Sequence, residues 1–140
     1  MRYIGIDYGR RRIGLALSDP TLLIASPFQV LENKGTKKNL ARLLTIMQQN
    51  DVALIVLGLP LHANGDESEM SREVRMFGQA LGELGYIVEY VDERYTSCQA
   101  EELIGGTDPK KKIIDKVAAS IILQMYLDER RKAEYESKNQ

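Results

Sequence analysis

Three carboxylates stand where predicted secondary-structure elements begin or end, and they are the residues best suited to chemistry. Asp7 ends a first strand, Glu93 follows a later one, and Asp115 lies in the first turn of the longest helix. Mg²⁺ is commonly held by a few carboxylates together with water and substrate phosphates. Acids that converge without partners repel each other, so convergence would indicate a cation between them. We therefore predict a site for Mg²⁺ or Mn²⁺, with two ions expected. Asp92 has the other strand parity and is a reserve ligand.

Basic residues adjoin all three acids in the sequence. They are Arg10 to Arg12 after the first acid, Arg94 after the second, and Lys110 to Lys112 before the third. Such side chains contact phosphates in nucleic-acid complexes. We therefore expect Arg11, Arg94 and Lys111 to bind a polyanionic substrate, the alternative for each being an ordinary solvated cation. A pair of divalent ions can activate water and stabilise the leaving oxygen, so the predicted reaction is phosphodiester cleavage.

The first acid lies in a predicted β-hairpin whose turn holds Gly9 and the arginines. One face of this hairpin is bulky, and the other is built from small residues: Gly5, Gly14, Ala16 and Ser18. Glycine inside a strand often marks the close approach of a ligand or of another backbone. The bare face is thus clearance either for the substrate or for the helix that carries Asp115, and the sequence leaves both open. Taken alone, Asp7 could equally be a strand-end acid that caps a turn.

Hydrophobic periodicity predicts five strands and four helices. The strands cover 2–7, 13–18, 22–31, 53–57 and 86–91, and the helices 37–50, 67–84, 96–104 and 113–131, with Phe77 and Met125 in the core and a frayed polar tail over 133–140. The first three strands form an antiparallel meander, and Pro27 favours the edge for the third. Right-handed crossovers make the first, fourth and fifth strands parallel, so that their C-terminal ends share one edge. The predicted class is α/β, a mixed five-stranded sheet with helices on both faces.

Composition fits one domain over residues 1–140. The apolar fraction of 44% and the charged fraction of 28% are typical of soluble globular proteins. A net charge of -1 excludes a uniformly basic nucleic-acid coat but not a local patch. Cys98 is the only cysteine and His62 the only histidine, so neither a disulfide nor a Cys–His nucleophile is expected. No apolar run approaches the roughly 20 residues of a membrane span. We expect a cytoplasmic protein with no membrane partner.

Four segments resemble the blocks of the YqgF/RuvX family. They are Gly5-Ile6-Asp7-Tyr8-Gly9 with Ile13-Gly14-Leu15-Ala16, Gly58-Leu59-Pro60, Asp92-Glu93-Arg94-Tyr95-Thr96-Ser97, and Asp115-Lys116-Val117-Ala118-Ala119 with Ile122-Leu123-Gln124. Each block is weakly specific, but their order and spacing are highly specific. The resemblance implies an RNase H-like fold related to RuvC-type Holliday junction resolvases. It also implies a metal-dependent nuclease that matures the 5′ end of pre-16S ribosomal RNA in bacteria, with Asp7, Glu93 and Asp115 as its catalytic acids.

One segment departs from the family's pattern. The family often carries Asn-Met-Asp-Gly shortly after Gly58-Leu59-Pro60, whereas this chain has His62-Ala63-Asn64-Gly65. The departure bears on base or strand preference rather than on the chemistry. Asn64 is predicted to contact the substrate, and the alternative is a simple Asn-Gly turn.

Three competing interpretations stay open at this point. A DNA junction resolvase would need a dimer with two sites, and the sequence is compatible with a monomer or a homodimer. A non-catalytic nucleic-acid or ribosome-binding module could use the same fold, although the three acids argue against it. A sugar kinase or actin-like ATPase also carries Asp-x-Gly on its first hairpin, but this chain is short for two lobes around ATP. The leading prediction is an endonuclease acting on pre-16S rRNA in a pre-ribosomal particle.

Overall fold

The computed structural model describes residues 1–93 and 111–139, without the side chains of residues 111–115. Its strands are β1 (Arg2–Tyr8), β2 (Arg12–Ser18), β3 (Ala25–Glu32), β4 (Val52–Leu59) and β5 (Ile87–Asp92). Its helices within these ranges are α1 (Thr36–Gln49), α2 (Glu69–Glu83) and α3 (Lys111–Lys138). The helix predicted over 96–104 lies outside the described residues.

The five strands form one mixed sheet in the order β3-β2-β1-β4-β5. The β1–β2 and β2–β3 pairs are antiparallel, and the β1–β4 and β4–β5 pairs are parallel. The predicted fold class is therefore confirmed, including the meander and the three parallel strands whose C-terminal ends share an edge. Strand β3 lies at an edge, as Pro27 predicts, and the β2–β3 register shifts where Pro27 pairs with Ala16.

One face of the sheet packs large side chains under α1 and α2. Ile4 and Ile6 of β1 are fully buried there with branched residues of the neighbouring strands. The helices contribute residues at helical spacing: Leu43 and Met47 from α1, and Val74, Phe77 and Leu81 from α2. Ser68 caps α2 by accepting the Ser71 N–H, while the Ser71 hydroxyl accepts the Ser68 N–H. Burial of this apolar face is the main source of the fold's stability.

The other face of the sheet is covered by α3. Its buried stripe is Ala118, Ala119, Ile122, Leu123 and Leu127. At Gly5, an added Cβ would lie 2.7 Å from the Ala119 carbonyl oxygen and 2.7 Å from the Leu123 Cβ. The helix therefore occupies the space above Gly5, and this decides between the two occupants that the sequence leaves open there.

Helix α3 differs from its prediction in phase and in length. Ala119 and Leu123 rather than Met125 face the sheet. Met125 is 37% exposed, so its predicted place in the core is wrong. The helix continues through Lys138 instead of fraying after residue 133. Residues with high helix propensity fill this end, and Arg130 pairs with Glu134 one turn later at 3.1 Å. No helix of the described ranges, α3 included, has both the length and the apolarity to cross a membrane.

Candidate active site

The structure brings Asp7 and Glu93 together at the edge where β1, β4 and β5 end. Asp7 is the penultimate residue of β1, and Glu93 directly follows β5. Parallel pairing of both strands with β4 carries the two residues to the same end of the sheet. A hydrogen bond joins their carboxyl groups, so they form a carboxyl pair although 85 residues of sequence lie between them.

Gly58 makes room for the Glu93 carboxyl. An added Cβ at Gly58 would lie 2.5 Å from Glu93 Oε2 and would also collide with the Ile122 side chain. The Glu93 N–H donates to the Leu59 carbonyl at 3.2 Å, which fixes the backbone beside this opening. We did not predict this role for Gly58 from the sequence. The sequence does indicate it, because a glycine near the end of a fully apolar strand often marks the close approach of another group to the backbone.

The pKa of Glu93 is raised to about 9. Burial of the carboxyl is the largest cause, followed by the charge of Asp7, the hydrogen bond with Asp7, and the charge of Asp92. Asp92 therefore influences the site even though its strand parity is opposite to that of Glu93. At neutral pH the carboxyl pair holds a proton, and a cation would take the proton's place in offsetting the two negative charges.

Helix α3 runs antiparallel to β1. The Tyr3 ring lies 6.1 Å from the Tyr126 ring and 5.8 Å from the Arg130 guanidinium, whereas Gly5 contacts the earlier residues Ala119 and Leu123. Each step toward the C-terminal end of β1 thus moves the contact toward the start of α3.

This course takes the start of α3 toward Asp7. From the Gly5–Ala119 contact, Asp7 lies two strand residues onward and Asp115 one helical turn back, about 6 Å in each case. The Asp115 side chain is outside the described part, so its role as third ligand stays a prediction. Among the side chains that the structure describes, no group of three His, Cys, Asp or Glu residues could hold a metal ion.

Of the residues predicted to contact phosphate, the structure describes the side chain of Arg11 but not those of Lys111 and Arg94. Arg11 is exposed in the β1–β2 turn, at the same end of the sheet as the carboxyl pair. Lys111 is the first residue of α3, with its side chain outside the description, and Arg94 lies beyond the described residues. Arg10 is tied to α2, since its guanidinium donates to Glu73 at 2.7 Å and lies 3.5 Å from Glu69.

Asn64 lies in an exposed turn after β4. Its amide nitrogen donates to the Asp66 carboxylate and its amide oxygen accepts the Asp66 N–H, both at 3.0 Å. Gly65 has a φ of 92°, and its N–H donates to the His62 carbonyl. The turn alternative therefore describes this segment, and a substrate contact by Asn64 stays a prediction.

Known proteins resemble the chain over nearly its whole length. The RuvX family model, described as Holliday junction resolvase, matches residues 1–129. A protein of Endomicrobium trichonymphae, provisionally named pre-16S rRNA nuclease, is 45% identical over 133 residues that cover 91% of this chain and 95% of the relative. A protein of Syntrophomonas wolfei with the same name is 43% identical over 133 residues, covering 91% and 94%.

A solved structure shares the fold at low sequence identity. Thermus thermophilus RuvC in complex with a Holliday junction substrate superposes with a TM-score of 0.60 at 16% identity, covering 94% of this chain and 96% of that one. This likeness shows the fold alone. The family match and the two relatives confirm the resemblance inferred from the motifs, and the chain belongs to the RuvX family.

Proposed function

We propose that this chain is a divalent-metal-dependent endonuclease that cleaves phosphodiester bonds of pre-16S rRNA in maturing its 5′ end. The observation that carries the proposal is the Asp7–Glu93 carboxyl pair, two acids from distant strands hydrogen-bonded to each other at one sheet edge. Burying such a pair is costly unless a proton or a cation compensates it, so its presence indicates function rather than stability. The names of the relatives support pre-16S rRNA as the substrate.

The donor set suits a hard cation. Both groups of the pair present carboxylate oxygens, the ligand type that Mg²⁺ and Mn²⁺ prefer. Asp7 and Glu93 would hold the metal, with Asp115 as the third ligand, Asp92 in reserve, and two ions expected. When bound, such ions lower the pKa of water and neutralise charge on the attacking and leaving oxygens.

The chain's own contribution is to orient the two carboxyls on rigid elements. Asp7 is fixed in the β1–β2 ladder, where it pairs with Gly14. Glu93 is fixed by the hydrogen bond of its N–H to Leu59 and by the opening at Gly58. Groups held on strand ends in this way keep their geometry without reorganising during the reaction. We propose that Arg11, Arg94, Lys111 and Asn64 position the substrate around them, in the cytoplasm and on a pre-ribosomal particle.

A second candidate is a Holliday junction resolvase, because the family model carries that description. It requires a homodimer whose two sites match the spacing of a junction. The two candidates share the carboxyl pair and differ in substrate and assembly.

Cleavage by the purified full-length chain in Mg²⁺ or Mn²⁺ tests the proposal. We expect cleavage of a 16S precursor with a 5′ extension, no cleavage of a four-way DNA junction, and no activity in EDTA. Asp7→Asn should lower the rate by on the order of 10³-fold, because it removes a group that acts on the transition state. RNA binding should change only a few-fold, and an unchanged circular dichroism spectrum would show that the fold is intact.

Two results would contradict the proposal. Cleavage of the junction without cleavage of the precursor would assign the chain to the resolvase alternative, which sedimentation analysis should then find dimeric. Full activity of Asp7→Asn would show that the carboxyl pair is not the catalytic centre.

A further inference from the structure

Exposed cations form a surface at the same end of the sheet as the carboxyl pair. We name it the hairpin–α1 basic surface and define it by four exposed residues: Arg11 in the β1–β2 turn, Lys34 in the linker after β3, and Lys37 and Lys38 in the first turn of α1. Residues 33–50 contain four basic side chains and neither Asp nor Glu. In a chain whose net charge is -1, this is a local concentration of positive charge.

A network of side-chain amides ties the hairpin turn to the linker. Asn33 donates from its side chain to the Gly9 carbonyl at 2.8 Å and from its backbone to the Arg11 carbonyl at 2.9 Å. The Asn33 amide oxygen accepts from the side chain of Asn39, which is fully buried in α1, at 2.8 Å. Asn39 in turn accepts the Lys34 N–H at 3.0 Å. The segments that carry the four cations are thus held in one fixed arrangement.

Lys37 and Lys38 do not stabilise the helix that carries them. Cations near a helix N-terminus oppose the macrodipole, at a cost of about 0.3–1 kcal/mol each when exposed. The first turn of α1 contains no acid to offset Lys37 and Lys38, and its N-cap residue Gly35 makes no side-chain cap. A local rule that is broken within the helix itself is typical of a functional surface.

The basic surface and the candidate active site lie at the same end of the sheet. Asp7 and the turn that holds Arg11 are continuous in sequence, and Asn33 bonds to Gly9 only two residues after Asp7. A cleft of about 380 Å³ lies at this turn, lined by Arg10, Arg11, Arg12, Glu32 and Asn33. An RNA strand that passes from the carboxyl pair over the β1–β2 turn would meet the cleft first and the lysines of α1 next.

We infer that the hairpin–α1 basic surface binds the sugar-phosphate backbone of the substrate RNA outside the cleaved bond, on one side of the scissile phosphate. The inference rests on the proposed function and adds to it the path of the flanking strand. Arg10 contributes less to RNA binding than its neighbours, because Glu73 and Glu69 already offset its charge.

Binding by an inactive form of the full chain tests the inference apart from cleavage. In the Asp7→Asn background, Lys37→Gln/Lys38→Gln should raise the Kd for a fluorescently labelled single-stranded RNA that spans the precursor's 5′ cleavage region about tenfold. The slope of log K against log salt is negative, and its magnitude should decrease by about 0.7 for each phosphate that the variant no longer neutralises. The matched control is Lys132→Gln/Lys138→Gln, which removes two exposed charges from the far end of α3. It should change neither quantity.

Equal effects of the two double variants would overturn the inference, because they would show a response to net charge alone. No effect of either variant would also overturn it. Neither result would touch the proposed function, which depends on precursor cleavage and on Asp7.

Substrate length gives a second measurement in the active chain. Lys37→Gln/Lys38→Gln should raise KM about tenfold for a long precursor while leaving kcat unchanged, as expected when uniform binding is weakened. Shortening the RNA from one end should make the KM values of the variant and of the unsubstituted chain converge. Shortening it from the other end should leave the difference in KM in place. A difference in KM that persists for every truncated RNA would show that the lysines do not act by binding the flanking RNA, and it would overturn the inference.

Discussion

The two faces of the sheet are built from the same strands, but Gly5 and Gly58 both lie on the face toward α3. Toward α1 and α2, β1 presents Ile4 and Ile6, both fully buried. Toward α3, the sheet presents Gly5 and Gly58, where an added Cβ would meet the helix or Glu93. The large side chains stabilise the fold by burial, whereas the glycines set distances: Gly5 brings the helix backbone onto the sheet, and Gly58 leaves space for a carboxyl. Site geometry therefore depends on the α3 face, whereas buried apolar residues of both faces contribute to stability.

Neighbouring substitutions on β1 should test this division most strongly. Ile6→Ala removes buried atoms from the α1–α2 face and should lower the free energy of unfolding by about 2–5 kcal/mol. Gly5→Ala adds a single methyl group on the α3 face and should lower it by about 1–3 kcal/mol, because the nearest atoms belong to the Ala119 backbone and the Leu123 Cβ. Urea unfolding measures both. A stabilised Gly5→Ala variant would show that α3 does not pack closely against β1.

Gly58→Ala should show how strongly cleavage depends on the position of the Glu93 carboxyl. The new methyl group would displace the Glu93 carboxyl, so we expect precursor cleavage to fall about 100-fold, as for a misplacement of about 1 Å. The control is Gly82→Ala in α2, where nothing lies within 4 Å of the added Cβ. This control should leave activity unchanged and stabilise the helix by about 0.5–1 kcal/mol. Equal activities of the two variants would mean that Glu93 does not act where the structure places it.

The pH dependence of stability should report on the carboxyl pair directly. The folded chain raises the pKa of Glu93 from 4.5 to about 9, so between these values it keeps a proton that the unfolded chain releases. The metal-free protein should therefore lose stability as the pH rises from about 4.5 toward 9. Thermal unfolding in EDTA measures this loss, and Glu93→Gln should flatten it.

Mg²⁺ and Glu67→Gln provide the controls for that measurement. A divalent cation that displaces the proton should stabilise the protein more at high pH than at low pH. The pKa of Glu67 is lowered, chiefly by its hydrogen bond with Arg75, so the contribution of Glu67 is lost as the pH falls. Glu67→Gln should therefore leave the decline at high pH in place. A decline that survives Glu93→Gln would contradict the assignment of the proton to this pair.

Sequence patterns predicted the topology because topology depends on features that a pattern carries. Strand alternation, the continuous apolar run of β4 and the breaker Pro27 led to the antiparallel meander, the three parallel strands and the edge position of β3. They also placed Asp7 and Glu93 at one edge, where the structure finds them joined. The family resemblance, which the comparisons confirm, rested on the same residues in the same order.

The errors fall where packing between segments decides the outcome. Met125 is apolar and has helical spacing, yet the close approach at Gly5 turns Ala119 and Leu123 toward the sheet instead. The occupant of the bare face could not be chosen from sequence, since a glycine shows that something comes near without showing what. The same holds for the amides that join Asn33 to Asn39, because side-chain hydrogen bonds between segments leave no periodicity.

The close packing of α3 also gives the helix a clamped part and an overhang. The stretch from Ala118 to Arg130 is held against the sheet through Gly5 and Tyr3, while residues 131–138 extend as an exposed rod about 12 Å long. The packed stretch separates the exposed end of the helix from the helix start that carries Asp115. We therefore expect substitutions in residues 131–138 to leave the geometry of the acid edge unchanged.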